Sequence, residues 1–335
     1  MKKVLVSGYI GFNNFGDEII FDVLSKHLKT LGYKVSALSC NPAETKKLYD
    51  VEAYYFKNIF QILKAIIQNN ILISGGGSLL QNKTSNFSLF YYLGIIFLAK
   101  IFFKKVIIFA QGIEPIRGKF QEFITKNILK TTDLITVRDE NSKNLLKNWG
   151  IKSELLSDPA YSIIENININ QEKNGLIVQL RKTKGVNNKF IKDLAYSISR
   201  NYMGDIKVLS LQNEYDEKVC LAFVEAMKRY DIQAKYIPFE NVNKTIELIN
   251  NAQYIISTRL HGLIIANTLK TQNFALIYDE KVKTLCDELN IKNIDINNYK
   301  NEELDNKLDE FFNHHLNEVH PYRHFSWEII DDTLK

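Results

Sequence analysis

Two short segments set cations and a histidine directly after apolar, β-forming runs. In one, Leu180-Arg181 precedes Lys182, Lys184 and Gly185; in the other, Ser257-Thr258-Arg259-Leu260-His261-Gly262 leads into LIIANT. Arginine offers a planar fork of donors that fits phosphate or carboxylate, and a histidine beside it exchanges protons near neutral pH. Arg259 and His261 are two residues apart, so in an extended loop they point to one side. Arg181 and Arg259 together would give two guanidinium groups to a small, highly charged anion, with Lys281 as a third cation and Tyr278 as a platform for a sugar. A plainer reading pairs Arg259 with an interdomain carboxylate and leaves His261 to cap a helix.

Three further loops follow apolar runs in the first half. Gly8-Tyr9-Ile10-Gly11-Phe12-Asn13-Asn14-Phe15-Gly16-Asp17-Glu18 opens a helix, whose N-terminus favours anions. Its glycines, at 8, 11 and 16, do not make the dinucleotide fingerprint GxGxxG, which argues against NAD. Asp17 and Glu18 read equally well as acids favoured by the helix dipole and as groups that bind a hydroxyl or move a proton. Gly75-Gly76-Gly77-Ser78-Leu79-Leu80-Gln81-Asn82 points to close approach of backbone to a ligand. Gln111-Gly112-Ile113-Glu114-Pro115 and Arg138-Asp139-Glu140-Asn141-Ser142 complete the set, the latter as a salt bridge or helix cap. His27, His314, His315, His320 and His324 read as structural or solvent-facing; without Cys or acidic partners at ligand spacing, no metal is expected.

These loops need elements to position them, and the pattern supplies them. Short apolar runs alternate with longer helical patterns along the chain, the signature of parallel sheets covered by helices. Strands are expected at 3–7, 34–38, 71–74, 106–111, 134–137 and 154–156, then at 176–180, 207–211, 234–237, 254–257 and 274–277. The polar, irregular stretch from Asp158 to Asn174 reads as a linker. The expectation is an α/β chain of two doubly wound, Rossmann-like domains, 1–165 and 172–300, facing across a cleft. Residues 301–335 would form a helical tail packing back on the first domain. In such sheets ligands bind beyond the strand C-termini.

Composition agrees with this. At 335 residues, 45% hydrophobic and 24% charged, the chain can bury two cores and is neither disordered nor collagenous. The net charge of +5 suits anionic ligands or an anionic membrane surface better than nucleic acid, which calls for a concentrated basic stripe. Cys40, Cys220 and Cys286, at long irregular spacings, argue for a reducing cytoplasm. The apolar run after Lys2 and Lys3 is too short for a signal peptide and reads as a first buried strand. Phe87–Phe103, FSLFYYLGIIFLAKIFF, is short of the roughly 20 apolar residues of a spanning helix and contains Gly94 and Lys100. It reads as a buried helix or as one partly exposed to a membrane face, with Lys104 and Lys105 at the headgroups.

Taken together, GYIGFNNFGDE, GGGSLLQNKTSNFSLFYYL, QGIEP, TVRDENS, SDPAY and STRLHGLIIANT resemble the bacterial polysaccharide pyruvyltransferase family, especially the branch acting on secondary cell-wall polysaccharides. The resemblance covers nearly the whole chain, with the motifs in family order. It implies a two-domain, glycosyltransferase-B-like architecture and transfer of pyruvate from phosphoenolpyruvate to a sugar as a cyclic ketal, with no metal or organic cofactor. It further implies that Arg181, Arg259 and His261 bind phosphoenolpyruvate, with a backbone contact from Leu260; Lys281, read above as a third cation, would join this donor group. The first-domain loops would hold the acceptor through Gly8, Tyr9, Asn14, Gly16, Gly75, Gly76, Gly77, Ser78 and Gln81. His261 is then the acid/base group, and Asp17 or Glu18 activates a hydroxyl. Two positions depart from the family pattern: Asn82 stands where Asp is frequent, and Glu114 where glycine is frequent. The rival reading is a nucleotide-sugar glycosyltransferase, with Asp279 or Glu280 on a ribose; a membrane scaffold without catalysis is a third. Expected partners are phosphoenolpyruvate and a sugar or lipid-linked acceptor, not nucleic acid, with the protein cytoplasmic or peripheral at the inner membrane face.

Overall fold

A computed structural model describes residues 2–83, 85–313 and 324–335. The chain divides into two compact units, residues 1–162 with 323–335, and residues 163–322.

In the first unit, β1 (Lys3–Ile10), α1 (Phe15–Thr30), β2 (Lys34–Ser39), α2 (Pro42–Tyr49) and β3 (Glu52–Tyr55) alternate in order. There follow α3 (Ile59–Gln68), β4 (Ile71–Gly75), α4 (Asn86–Ile101), β5 (Lys105–Gln111), α5 (Lys119–Leu129), β6 (Leu134–Val137), α6 (Glu140–Asn148) and β7 (Glu154–Leu155). The seven strands pair in the order β3-β2-β1-β4-β5-β6-β7, all parallel, with Val6 opposite Ala37 and Ser7 opposite Ser74. Chain order reverses between β1 and β4, the position where doubly wound sheets open a crevice.

In the second unit, β8 (Leu176–Gln179), α7 (Asn188–Asn201), β9 (Ile206–Leu209), α8 (Asn213–Lys228) and β10 (Ala234–Ile237) lead into α9 (Val242–Asn251) and β11 (Tyr254–Ser257). Then come α10 (Leu260–Thr268), β12 (Gln272–Ile277), α11 (Glu280–Leu289), β13 (Lys292–Asp295) and α12 (Asn301–Asn313). Here the order is β10-β9-β8-β11-β12-β13, and the reversal lies between β8 and β11.

The cores follow from residue spacing. In α7, Phe190, Ile191, Leu194, Ala195 and Ile198 recur at helical period and bury against Leu176 and Val178 of β8. On one face of the first sheet, Leu5, Leu72, Val106 and Ile135 pack against Ile62 and Ile66 of α3, Leu89, Leu93 and Ile96 of α4, Leu129 of α5 and Leu146 of α6.

Several boundaries differ from the sequence reading. β1 runs on through Gly8 and Tyr9 to Ile10, with a register shift after Ser7, so those two residues sit in a strand rather than a loop. The linker begins inside the first unit as a 3-10 helix, Pro159–Asn166, whose Ala160 and Tyr161 are buried. The expected tail is split. α12 packs on α7 in the second unit, whereas α13 (Glu328–Leu334) belongs to the first. His27 explains that attachment: its ring stacks on Trp327 at 3.9 Å and bonds Asp331 at 2.7 Å. His314, His315 and His320 lie outside the described residues.

Candidate functional site

In the second unit, Arg181 follows β8 and Arg259 follows β11, so the two flank the reversal of strand order. Arg259 is 8% exposed and held from several sides. Its Nε donates to Asp216 Oδ2 at 2.9 Å, and its Nη2 donates to Asp216 Oδ1 at 2.7 Å and to Gln212 Oε1 at 3.1 Å. Asp216 is fully buried and also accepts from the backbone amides of Leu211 and Gln212. Behind this pair, Gln179 Oε1 accepts from Ser257 Oγ, Thr258 Oγ1 and the Arg259 amide at 3.0 to 3.1 Å. A buried network that engages both Nε and Nη2 fixes the guanidinium in one place.

The expected extended loop is not there. Arg259 itself is the N-cap of α10, and Leu260 and His261 already lie in the first turn. Helical rise separates Arg259 and His261 as cap and second residue, so they do not share a side as strand neighbours would. An arginine cannot accept from the first amides, and no side-chain cap is made; with the helix dipole this gives an end suited to an anion. The carboxylate that answers Arg259 comes from α8 of its own unit, not from across a domain boundary.

Arg181 Nη1 donates to Tyr278 Oη at 2.9 Å, with the guanidinium over the ring, so Tyr278 is an arginine partner here. Burial raises the Tyr278 phenol above its usual value, and the charges of Arg181 and Arg259 both oppose that rise. Gln179 of β8 lies opposite Ser257 of β11, and each arginine follows its strand by two residues, which sets the two in one locality. Lys281 is exposed in the first turn of α11, whose N-cap is Asp279, accepting from the Val282 amide at 3.0 Å.

The first unit builds its own locality around β1 and β4. Gly8, Tyr9, Asp17, Gly75 and Gly76 line a cavity of about 10 Å³, room for one water. Gly76 and Gly77 have φ of +28° and +77°. A Cβ at Gly76 would sit 2.2 Å from Ile20 Cγ2, and one at Gly77 would sit 2.6 Å from Asp17 Oδ1. Both glycines are therefore required by the close approach of α1, which sets the Asp17 carboxylate against the triple-glycine loop. Asn14 caps α1 through the Gly16 amide at 3.1 Å, and Gly16 is buried in the first turn, so these two shape the loop. Ser78 Oγ lies 3.4 Å from Arg138 Nη2, and Gln81 Oε1 accepts from the Lys83 amide at 2.7 Å. Arg138 also pairs with buried Asp158 at 2.7 Å, while Asp139 caps α6.

Glu18 is not presented to a ligand. Its carboxylate is 3% exposed, accepts from the Gly11 amide at 2.8 Å and from Tyr49 Oη at 2.6 Å, and so ties the loop after β1 to α2. Burial pushes its pKa up to about 7 despite those two bonds. Because the folded state binds the proton more tightly than the unfolded chain, stability falls as pH rises from about 4.5 to about 7 and then levels off. The span is about 3 kcal/mol. Melting temperatures of Glu18→Gln and wild type across pH 5–8 are expected to differ in slope through that window; parallel curves would assign the titration elsewhere.

The two departures from the family pattern prove to be neighbours. Asn82 Oδ1 accepts from the Arg117 amide at 2.8 Å while its Nδ2 donates to the Arg117 carbonyl at 2.7 Å. An ionised aspartate could make only the first of these bonds. Beside it Lys83 pairs with Glu114 at 2.7 Å. Asn82 and Glu114 thus jointly fasten the triple-glycine loop to the loop after β5.

Sequence reasoning missed Asp216, Gln179 and Ala110. Ala110 has φ of +43° at full burial, where β5 shifts register, and directs Gln111 Nε2 onto Ser74. Only the polar Gln within LIVQ and IIFAQ hinted at these networks.

Comparison with known proteins agrees with the geometry. Over all of this chain and 99% of the other, the fold is similar to UDP-GlcNAc 2-epimerase from Methanocaldococcus jannaschii, at TM-score 0.68 and 14% identity. A glycosyltransferase from Rickettsia africae ESF-5 aligns over 93% of this chain and 88% of its own, at TM-score 0.60 and 17% identity. MurG from Acinetobacter baumannii aligns over 100% and 99%, at TM-score 0.55 and 12% identity. These likenesses establish a glycosyltransferase-B-like α/β fold. No curated protein matches the chain in sequence. The sequence profile of the family described as polysaccharide pyruvyl transferase matches residues 14–280, which run from the cap of α1 to the start of α11 and include both arginine loops. The chain therefore belongs to the polysaccharide pyruvyl transferase family.

Proposed function

We propose that the protein transfers pyruvate from phosphoenolpyruvate to a sugar of a cell-surface polysaccharide precursor as a cyclic ketal, releasing phosphate. The observation that carries this reading is Arg259, locked by Asp216 and Gln212 at the side-chain-uncapped start of α10. A pre-set guanidinium and a helix N-terminus suit a compact anion bearing phosphate and carboxylate. Arg181 supplies the second cation, Leu260 a backbone contact, and exposed Lys281 completes the donor group.

In this scheme the methylene carbon of phosphoenolpyruvate gains a proton, for which His261 is the donor, and the neighbouring carbon becomes electrophilic. One sugar hydroxyl adds there and gives up its proton. The phosphate–carbon bond breaks, a second hydroxyl closes the ring, and its proton leaves with phosphate. Asp17, set against Gly77, is the base we assign to a hydroxyl; Glu18 holds the loop. Neither metal nor organic cofactor is assigned a part, and the acceptor is a sugar, lipid-linked or free, with an amino sugar such as N-acetylmannosamine the first choice.

The rival, a nucleotide-sugar glycosyltransferase, is less well served, because Asp279 is engaged as the α11 cap and Glu280 is exposed. Phosphate release from phosphoenolpyruvate is expected only when a mannosamine- or galactose-containing acceptor is present. Absence of release across such a panel, together with calorimetric binding of a UDP-sugar but not of phosphoenolpyruvate, would overturn the reading.

A further inference from the structure

Among the described residues, every phenylalanine more than half exposed falls in one stretch of the first unit: Phe60, Phe87, Phe97, Phe103, Phe120 and Phe123. They are ordered by helix geometry. In α4 the exposed or half-exposed positions Phe87, Phe90, Gly94, Phe97 and Ile101 recur at three- and four-residue spacing, opposite Leu89, Leu93 and Ile96, which face the sheet. In α3, Phe60, Lys64 and Ile67 make a similar outward stripe, and in α5, Phe120, Phe123, Asn127 and Lys130 do so. α4 packs between α3 and α5, and all three bury their inner faces on the same side of the sheet. Their outward stripes therefore form one continuous aromatic face, where a solvated surface would carry charges.

Charge fixes the kind of partner. Between Lys57 and Thr132 the chain has ten lysines and arginines against two acids, whereas the remainder holds more acids than bases. Both acids are already answered, Glu114 by Lys83 and Glu122 by Lys126. A second copy of this face would bring the same excess of positive charge against itself. An anionic surface would be attracted, and one with an apolar layer beneath it would also accept the rings. Among the described residues no helix is long and apolar enough to cross a membrane.

We propose that the α3–α4–α5 face docks the protein on the surface of an anionic lipid leaflet, with the phenylalanines entering the interface and lysines such as Lys64, Lys104 and Lys130 at the headgroups. This is independent of the reaction assigned above, and its test reads binding alone. Full-length protein is floated with vesicles of phosphatidylglycerol and phosphatidylcholine in equal parts, and with phosphatidylcholine alone. Flotation is expected with the mixed vesicles at low salt, with marked loss at about 1 M salt, where the screening length falls to about 3 Å. Phosphatidylcholine alone should bind weakly. Phe60→Ser/Phe97→Ser/Phe123→Ser should partition at least tenfold less while melting at the wild-type temperature, since all three rings are exposed. No flotation of wild type at low salt, or equal flotation of the triple variant, overturns the proposal. So does a concentration-dependent dimer that the triple variant abolishes, because the face would then belong to a second copy.

Discussion

Asp216→Ala should destabilise the second unit by about 3–5 kcal/mol, the cost of leaving a buried charge without its partner. Arg259 has nowhere to move: it is 8% exposed, and its Nε and Nη2 are aimed at the two Asp216 oxygens. The alanine would also orphan the Leu211 and Gln212 amides that now donate to the carboxylate. At about 2–4 °C per kcal/mol for a unit of this size, the melting temperature should drop by on the order of 10 °C. Asp216→Ala/Arg259→Met removes both charges and should recover much of that loss, because replacing a buried pair by apolar groups is often close to neutral. Thermal denaturation followed by circular dichroism decides the matter. A single variant melting within about 2 °C of wild type, or a double variant no more stable than the single, would refute the pair as the brace of this unit.

The network explains what the sequence could and could not reveal. The strands at the centre of each sheet, β1, β4, β5, β8 and β11, each carry an apolar run of three or more residues, VLV, ILI, VIIFA, LIV and YII, and are legible as such. Edge strands β3, EAYY, and β13, KNID, are short and half polar, because an edge needs little apolar surface on either side. The strand ends and helix starts that carry Arg181, Arg259, Asp17 and Gly75–Gly77 are also legible as positions, since glycines and charges after apolar runs stand out, although the extended loop expected at Arg259 is a helix cap. Environment was not. Asp216 lies 43 positions before Arg259 and reads in sequence as an ordinary helix acid. Likewise nothing in GDE tells Asp17, set beside Gly77, from Glu18, desolvated between Gly11 and Tyr49. Local pattern assigns elements; which acid loses its water depends on the chain returning from a distance.

Arg259→Lys separates the two tasks assigned to that side chain. A lysine ammonium still places one positive charge near Asp216, so the buried carboxylate keeps a counter-ion and the fold should survive, melting above Asp216→Ala. What lysine cannot reproduce is the planar fork. Arg259 spends Nε and Nη2 on Asp216 and Gln212, while Nη1 has no partner among the described residues and is the arm we assign to the proposed donor anion. A point charge drawn to Asp216 has no second arm to offer. With one pre-set donor removed, kcat/KM for phosphoenolpyruvate, measured as acceptor-dependent phosphate release, should fall about 10²–10³-fold. The loss should persist at saturating acceptor, because the loops we assign to the acceptor belong to the first unit. Wild-type turnover by Arg259→Lys would mean that Arg259 serves only to neutralise Asp216 and that Arg181 and Lys281 hold the anion without it.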